Sequence, residues 1–306
     1  MDNIAVIMAT YNGEKFLREQ IDSILNNSYK NFTLYVCDDG STDGTISIVE
    51  QYMNANPGKV ILRRNKENKR VIRNFLDNAK EIDAYYYMLC DQDDVWLQNK
   101  IDDTFKFMKE KENENPNAPV VVFGDAQVVD GDLNELNPSF HKLCNLDTSK
   151  LSLVDLCIEN KLIGCTMMFN RLLWEKLDVF PEDIRMHDWW IGLVGSAFGK
   201  VAYLNKPLLK YRQHGNNTVG GESEARYIMR NLVHLKLQRE MLYAVCKQTK
   251  SFVNIYRDEL DSTVVEKLDM FGALPEQNWF KRRHQFLHSE FRKTGFVRNF
   301  GMFVIM

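Results

Sequence analysis

The chain has 306 residues, of which 44% are hydrophobic, enough to bury one large domain with or without an appendage. Its 39 basic and 42 acidic residues give a net charge of −3, which excludes a molecule built over its whole surface to grip nucleic acid. Six cysteines, at 37, 90, 144, 157, 165 and 246, form no CxxC pair and no zinc spacing; with no signal peptide and no apolar stretch of spanning length, the chain reads as cytosolic.

Ile4 to Ala9 is a short apolar run that predicts a strand, broken by Thr10-Tyr11-Asn12-Gly13. Phe16, Leu17, Ile21, Ile24 and Leu25 follow at helical spacing. Phe32 to Cys37 predicts a second strand, ending in Asp38-Asp39-Gly40-Ser41-Thr42-Asp43-Gly44 before a helix from Thr45 to Met53. Two successive β-turn-α units build a parallel sheet whose ligand crevice lies at the carboxyl ends of the strands.

Tyr85 to Trp96 is an aromatic run that ends abruptly in Asp91, Asp93 and Asp94. Three carboxylates at a strand end repel unless a cation sits among them, and a hard divalent ion bound together with substrate phosphates meets that need. The alternative is a polar turn in which Asp93 or Asp94 caps a following helix. That helix is expected from Trp96 to about Asn113, then a loop at Asn115 to Pro119 and a strand from Val120 to Asp125. Residues 130 to 147 are turn-rich and are placed on the acceptor side.

Leu151 to Asn160 reads as a helix, Ile163 to Phe169 as a strand and Met186 to Phe198 as a helix. Val201 to Leu204 and Leu208 to Tyr211 read as short strands around Pro207. Beyond Gly220-Gly221 the composition turns helical, with Ala225 to Lys250 continued by Ser251 to Phe271. The expected organisation is therefore a catalytic domain over 1–218 and a helical region over 219–306.

Three motifs, Ala9-Thr10-Tyr11-Asn12-Gly13, Cys37 to Asp43 and Asp91-Gln92-Asp93-Asp94, stand in the order and at the spacing of a known family. On them the chain resembles the family 2 nucleotide-sugar glycosyltransferases. His187-Asp188-Trp189-Trp190 and Tyr211 to Asn217 resemble later motifs of a bacterial subset that includes rhamnosyltransferases and other surface-polysaccharide enzymes. The resemblance covers about the first 215 residues. It implies a GT-A fold, an α/β architecture with a Rossmann-like, mostly parallel sheet flanked by helices, here followed by a helical appendage.

It also implies roles. Asp93 would ligate Mn²⁺ or Mg²⁺, with Asp91 near the ribose or the metal's water shell and His214 as a further ligand or, alternatively, a hydrogen-bonded structural residue. Asp39 would accept the N3–H of a uracil or thymine ring, with Thr10, Tyr11 and Asn12 beside the donor; Asp38 is the more structural of the two acids. Arg73 would reach the donor phosphates or else lie on a solvated helix face, and Asn68 stands where the family usually has glycine just upstream. Asp188 would be the general base, preceded by His187 where the family has glutamate, with Asp125 the next residue to test. Trp189 would face an acceptor sugar, with both tryptophan rings as core residues of the 186–198 helix the alternative, and Trp190 reads as core.

The implied activity is inverting, metal-dependent transfer of a sugar from a dTDP- or UDP-linked donor, with dTDP-rhamnose or a UDP-hexose as first choices. The acceptor would be a bacterial surface glycan, glycolipid or glycoprotein. A catalytically idle nucleotide-sugar-binding or scaffold protein is one alternative, which the presence of Asp188 disfavours. A nucleotidyltransferase is another, and it should show a glycine-rich basic loop near the amino terminus that is absent. Between 281 and 306, Lys281, Arg282, Arg283, Arg292, Lys293 and Arg298 oppose a single Glu290 amid large apolar side chains. Such a segment reads as a peripheral membrane element at the inner face of the plasma membrane. Packing on the chain's own catalytic domain and a subunit interface are the competing readings, and an oligomer is compatible with the sequence.

Overall fold

A computed structural model describes residues 3–214 and 235–306. In chain order the elements are β1 (Ile4–Thr10), α1 (Leu17–Leu25), β2 (Phe32–Asp38), α2 (Thr45–Ala55), β3 (Val60–Arg64), α3 (Arg70–Lys80), β4 (Tyr86–Cys90), β5 (Val95–Trp96), α4 (Lys100–Glu114), β6 (Val120–Val129) and β7 (Glu135–Asn137). They continue with α5 (Phe140–Leu143), α6 (Leu153–Ile158), β8 (Met168–Asn170), α7 (Arg171–Lys176), α8 (His187–Phe198) and β9 (Lys200–Arg212). After the gap come α9 (Leu235–Tyr256), α10 (Ser262–Gly272), α11 (Trp279–His288) and α12 (Phe296–Ile305).

The described strands form one mixed sheet in the order β3-β2-β1-β4-β8-β6-β9-β5, with β7 paired to β6. The β3-β2-β1-β4 half is parallel, as the alternating strand and helix pattern requires. Its strands read as nearly continuous apolar runs because helices cover both faces; Val6, Ile7, Met8, Leu34, Val36 and Met88 are fully enclosed. Register carries Thr10 opposite Asp38 and Met8 opposite Cys90. All three motif loops consequently leave the sheet at the same edge.

Several boundaries differ from the sequence reading for identifiable reasons. Neither Asp93 nor Asp94 caps a helix, because Val95 and Trp96 pair antiparallel with Lys210 and Leu209 and the helix begins only after Asn99. The expected strand from Ile163 is a 3₁₀ turn at Gly164–Thr166 followed by short β8. Thr166 fixes that turn through its hydroxyl, whose single hydrogen lies within reach of both the Ile163 and Gly124 carbonyls, at 2.8 and 3.0 Å. The two strands expected around Pro207 are one, β9, which absorbs the proline through register shifts against β6. The long terminal helix is interrupted near Asp261, whose carboxylate accepts from Thr263 N–H at 2.8 Å and starts α10. Gly215, Asn216 and Asn217, the 218/219 junction, Gly220-Gly221 and the expected helix start at Ala225 lie outside the described residues.

The chain forms two compact units that interleave in sequence. The first holds the described residues of Met1–Phe140, Leu162–Lys176 and Phe198–Gly221, and includes the whole sheet. The second gathers His141–Lys161 and Leu177–Ala197 with the described residues of Glu222–Met306. Residues 141–161 and 177–197 therefore pack with the terminal helices, so the second unit draws on segments either side of 218/219. In its core Trp190 meets Phe252 edge-on with ring centroids 5.5 Å apart, and Phe271 stacks on Phe291 at 4.3 Å.

The basic tail is less of a free surface than its composition suggests. Arg298 is buried and paired with Glu159 at 2.9 Å. Arg292 donates to the carbonyls of Phe286, Leu287 and Phe291, Arg283 donates to the Val304 carbonyl, and Arg282 bonds the Tyr243 hydroxyl. The segment also exposes large apolar side chains, led by Phe296 at 83%, beside exposed Lys281 and Glu290, and Phe280 just before it is 77% exposed. Among the described residues no helix is long and apolar enough to cross a membrane.

Candidate active site

At the carboxyl edge of the parallel strands, loops that are far apart in sequence are bolted together by side chains that bond to backbone. After β1 the chain turns through Asn12 at a φ of +48°, a left-handed conformation that asparagine tolerates better than most residues. Asn12 Oδ1 accepts from Thr42 N–H at 2.8 Å, and Asn12 N–H donates to Ser41 Oγ at 2.9 Å. Gly13 N–H donates to Thr45 Oγ1 at 2.8 Å. The β1 and β2 loops thus form one rigid ledge.

Gln92, between two of the acids, holds both main-chain groups of Tyr11: its Oε1 accepts from Tyr11 N–H at 2.9 Å and its Nε2 donates to the Tyr11 carbonyl at 3.1 Å. A side chain at Gly13 would collide with Gln92 Oε1 at 2.2 Å. The ring of Tyr11 is left half-exposed on the ledge, whereas Thr10 is buried with its hydroxyl directed at Asp38.

Asp38 and Asp39 have separate employment. Asp38 accepts from Gly40 N–H at 3.1 Å and Ser41 N–H at 3.0 Å, and bonds the Ser41 hydroxyl, so it closes its own turn. Asp39 Oδ1 accepts from Asn65 Nδ2 and Lys69 N–H, and Oδ2 from Arg70 N–H, each at 2.8 Å. That fills three of roughly four acceptor positions on the carboxylate and leaves one on Oδ2. Asn68 donates to the Asp39 carbonyl at 3.0 Å and accepts from Arg70 N–H at 3.0 Å, so asparagine here ties the loop that glycine would leave loose. Arg73 follows on α3, 43% exposed and 3.9 Å from Asp77.

The acidic turn divides into an inner and an outer part. Asp94 points inward, accepting from Arg212 N–H at 3.1 Å, and burial together with Asp91 and Asp93 pushes its carboxyl well above the usual range. Asp91, Asp94 and Cys165 present ligand atoms within 4.8 Å of one another. Burial raises the Cys165 thiol as well, with the nearby Asp94 and Asp91 carboxylates pushing it in the same direction. Beneath it Lys100 is fully enclosed, donates to the Cys165 carbonyl and lies 3.4 Å from the Trp96 ring centroid; burial lowers its pKa to about 8.

The outer part is Asp93 with His214, Nε2 to Oδ2 at 2.9 Å. The ring nitrogen and the carboxylate oxygen are within hydrogen-bond distance, and a divalent ion would compete for the same lone pairs. Carboxylate oxygens beside an imidazole form a donor set that suits Mn²⁺.

Arg212, whose motif the sequence shows but whose task it does not, fixes this pair. Its Nε donates to the Asp93 carbonyl at 2.8 Å, its other nitrogens reach the Gly131 carbonyl and Glu19, and its guanidinium lies 4.5 Å from the Phe16 ring centroid. His214 packs on the same ring at 5.1 Å. Gln92, Arg212, Phe16 and Lys100 were missed as site residues because each acts through partners some 60 or more positions away.

In the second unit Asp188 lies in the first turn of α8. Oδ1 accepts from Trp189 N–H at 2.7 Å and Oδ2 from Asn160 Nδ2 at 3.2 Å. Trp189 commits its indole N–H to the Leu156 carbonyl at 2.6 Å, and Trp190 is wholly buried. Burial lowers the pKa of His187, against the opposing pull of Asp188. Asp125 is buried in the first unit, accepting from Ala126 N–H at 2.8 Å and from the Ser139 hydroxyl.

The fold and several sequences agree on a relationship. The chain is 28% identical over 263 residues to the dTDP-rhamnosyl transferase RfbG of Shigella flexneri, covering 81% of this chain and 86% of that protein. It superposes on S. aureus TarS 1–349 in complex with UDP-GlcNAc with a TM-score of 0.60 at 16% identity, over 94% and 79% of the two chains; it spans 44% of the longer TarS structure. The mannosyltransferase PcManGT of Pyrobaculum calidifontis, solved with GDP-Man and Mn²⁺, gives 0.57 at 16% identity over 91% and 71%. These likenesses share the GT-A architecture described above. The family model for glycosyl transferase family 2 matches residues 5–175, and the chain belongs to that family of glycosyltransferases.

Proposed function

We propose that this glycosyltransferase is a metal-dependent, inverting enzyme that moves a sugar from a nucleoside diphosphate, dTDP-rhamnose first and a UDP-hexose second, to a hydroxyl of a bacterial surface glycan, glycolipid or glycoprotein. The observation that carries it is the meeting, at one sheet edge, of Asp39 with a spare acceptor position, the half-exposed Tyr11 ledge and the Asp93–His214 pair. Rhamnose is favoured by the likeness to RfbG.

Asp39 Oδ2 suits the imide N–H of a pyrimidine, and a base without that donor would leave the carboxylate unpaired. Asp93 and His214, with Asp91 nearby, would hold Mn²⁺ or Mg²⁺, which when bound stabilises charge on the departing diphosphate. Asp188 takes the acceptor proton as the acceptor oxygen bonds to the anomeric carbon and the nucleoside diphosphate leaves from the opposite face. Two hydrogen bonds aim its carboxylate, and a carboxylate that is already oriented loses less in reaching the transition state. The exposed Phe296, Phe300 and Phe280 with Lys281 and Lys293 would rest on anionic lipid, placing a cytoplasmic enzyme at the inner membrane face.

The test is a thermal-shift and hydrolysis screen of nucleotide sugars with and without Mn²⁺. A ligand that binds only the folded state raises apparent stability, so a thymidine or uridine diphosphate sugar should raise Tm and be hydrolysed only with metal. Equal response to purine donors, or full turnover in chelator, overturns the reading. For the tail, a Phe296→Ser/Phe300→Ser protein should lose sedimentation with anionic vesicles. Wild-type protein that ignores such vesicles at low salt removes the membrane part.

A further inference from the structure

Arg298 of helix α12 and Thr294 just before it reach back to Glu159, whose next residue in the chain bonds the Asp188 carboxylate. Glu159 follows directly on α6 and is enclosed, as is Arg298; Glu159 Oε1 accepts from Arg298 Nη1 at 2.9 Å. Glu159 Oε2 accepts from Thr294 N–H at 2.9 Å and from the Thr294 hydroxyl at 2.7 Å. Thr294 Oγ1 also accepts from Asp147 N–H at 3.1 Å, and Arg298 reaches the Cys144 carbonyl. An enclosed ion pair is weak evidence of stabilisation in itself, since desolvation offsets most of its attraction. What it does supply is a fixed geometry.

The residue after Glu159 is Asn160, whose amide holds Asp188 Oδ2, and Leu156 on the same short helix receives the Trp189 indole N–H. Six-residue α6 and its exit are thus gripped on one side by Thr294 and Arg298 and on the other aim Asp188 and Trp189. We infer that Glu159, Thr294 and Arg298 are positioning residues for Asp188, which makes the terminal helix part of the transfer machinery. This inference rests on Asp188 being the base. A carboxylate displaced by a fraction of an ångström from its aim loses rate without losing donor affinity.

The experiment compares full-length Thr294→Ala, Arg298→Met, Arg298→Lys and Asp188→Asn proteins for Tm, donor-induced thermal shift, donor KM and kcat. The expected result is a kcat about tenfold lower in Thr294→Ala and Arg298→Met, with donor KM and donor-induced shift unchanged, and substantial recovery in Arg298→Lys. Should Arg298→Met fail to fold, Thr294→Ala decides, because it leaves the ion pair in place. A folded Thr294→Ala protein with wild-type kcat overturns the inference, as does a loss of kcat that travels with an equal loss of donor binding. Near-normal kcat in Asp188→Asn instead removes the base assignment on which the inference stands.

Discussion

The acidic edge of the sheet and the terminal helices solve the same problem, holding a few carboxylates in fixed directions, by different means. At the sheet edge the restraints are many and short, and nearly all run from a side chain to a backbone group: Gln92 on Tyr11, Asn12 on Thr42, Asp39 on Lys69 and Arg70. In the second unit the restraints on the α6 exit converge on one enclosed ion pair, Glu159 with Arg298, whose members are separated by 139 positions. The first arrangement tolerates the loss of one bond because its neighbours remain. The second concentrates the same duty in an enclosed pair, so one substitution there should be felt at once.

Variants can break that contrast or sharpen it. The largest effect is expected at the outer acid: Asp93→Ala should abolish transfer and the metal-dependent part of donor binding while Tm stays near wild type, because the ledge around it keeps its other bonds. Undiminished activity in metal-free buffer would refute the role. Next, Asp188→Asn keeps shape but accepts no proton, and turnover should fall by roughly 10² with donor affinity retained. Stopped-assay kinetics at saturating donor distinguish the two.

Arg212→Gln tests whether the sheet edge has a single critical restraint after all. It strands the Asp93 and Gly131 carbonyls and should cost on the order of 3 kcal/mol by chemical denaturation, with weakened Mn²⁺ affinity. A stability change below about 0.5 kcal/mol would show that the surrounding bonds suffice.

The smallest effect concerns Lys100. Its pKa is lowered by burial to about 8, against about 10.4 in an unfolded chain, so between these values the unfolded state binds more protons and stability should rise with pH. The burial penalty is fully present below about pH 8 and fades above it. Lys100→Met should lack this rise, and parallel denaturation curves for the two proteins between pH 8 and 10 would contradict it.

How much of this was legible in the sequence follows from where the restraints run. The β1, β2 and β4 strands, and the common edge at which Asp39 and Asp91 emerge, follow from local apolar runs and short polar turns. Trp190 as core could also be read, from apolar and aromatic residues on more than one face of α8. The 3₁₀ turn at Gly164 could not, since the Thr166 bonds to Gly124 that make it bridge 42 positions. Nor could the fate of the basic tail: Arg298 has the same charge whether it faces lipid or Glu159, and only the folded chain distinguishes them. The helix after Asp91-Gln92-Asp93-Asp94 was misplaced because Val95 and Trp96 were taken by β9, a partner more than 110 residues away.

The Gln92 clamp has a consequence for how such a chain can change over generations. A β-carbon at position 13 would push the Gln92 amide away from Tyr11, and Tyr11 loses both its main-chain partners if position 92 shortens. Neither site can vary first without harm. Among descendants of this sequence, replacements at 13 and 92 should therefore arrive as a pair, and a library randomised at both positions together should yield active proteins that no single-site library contains.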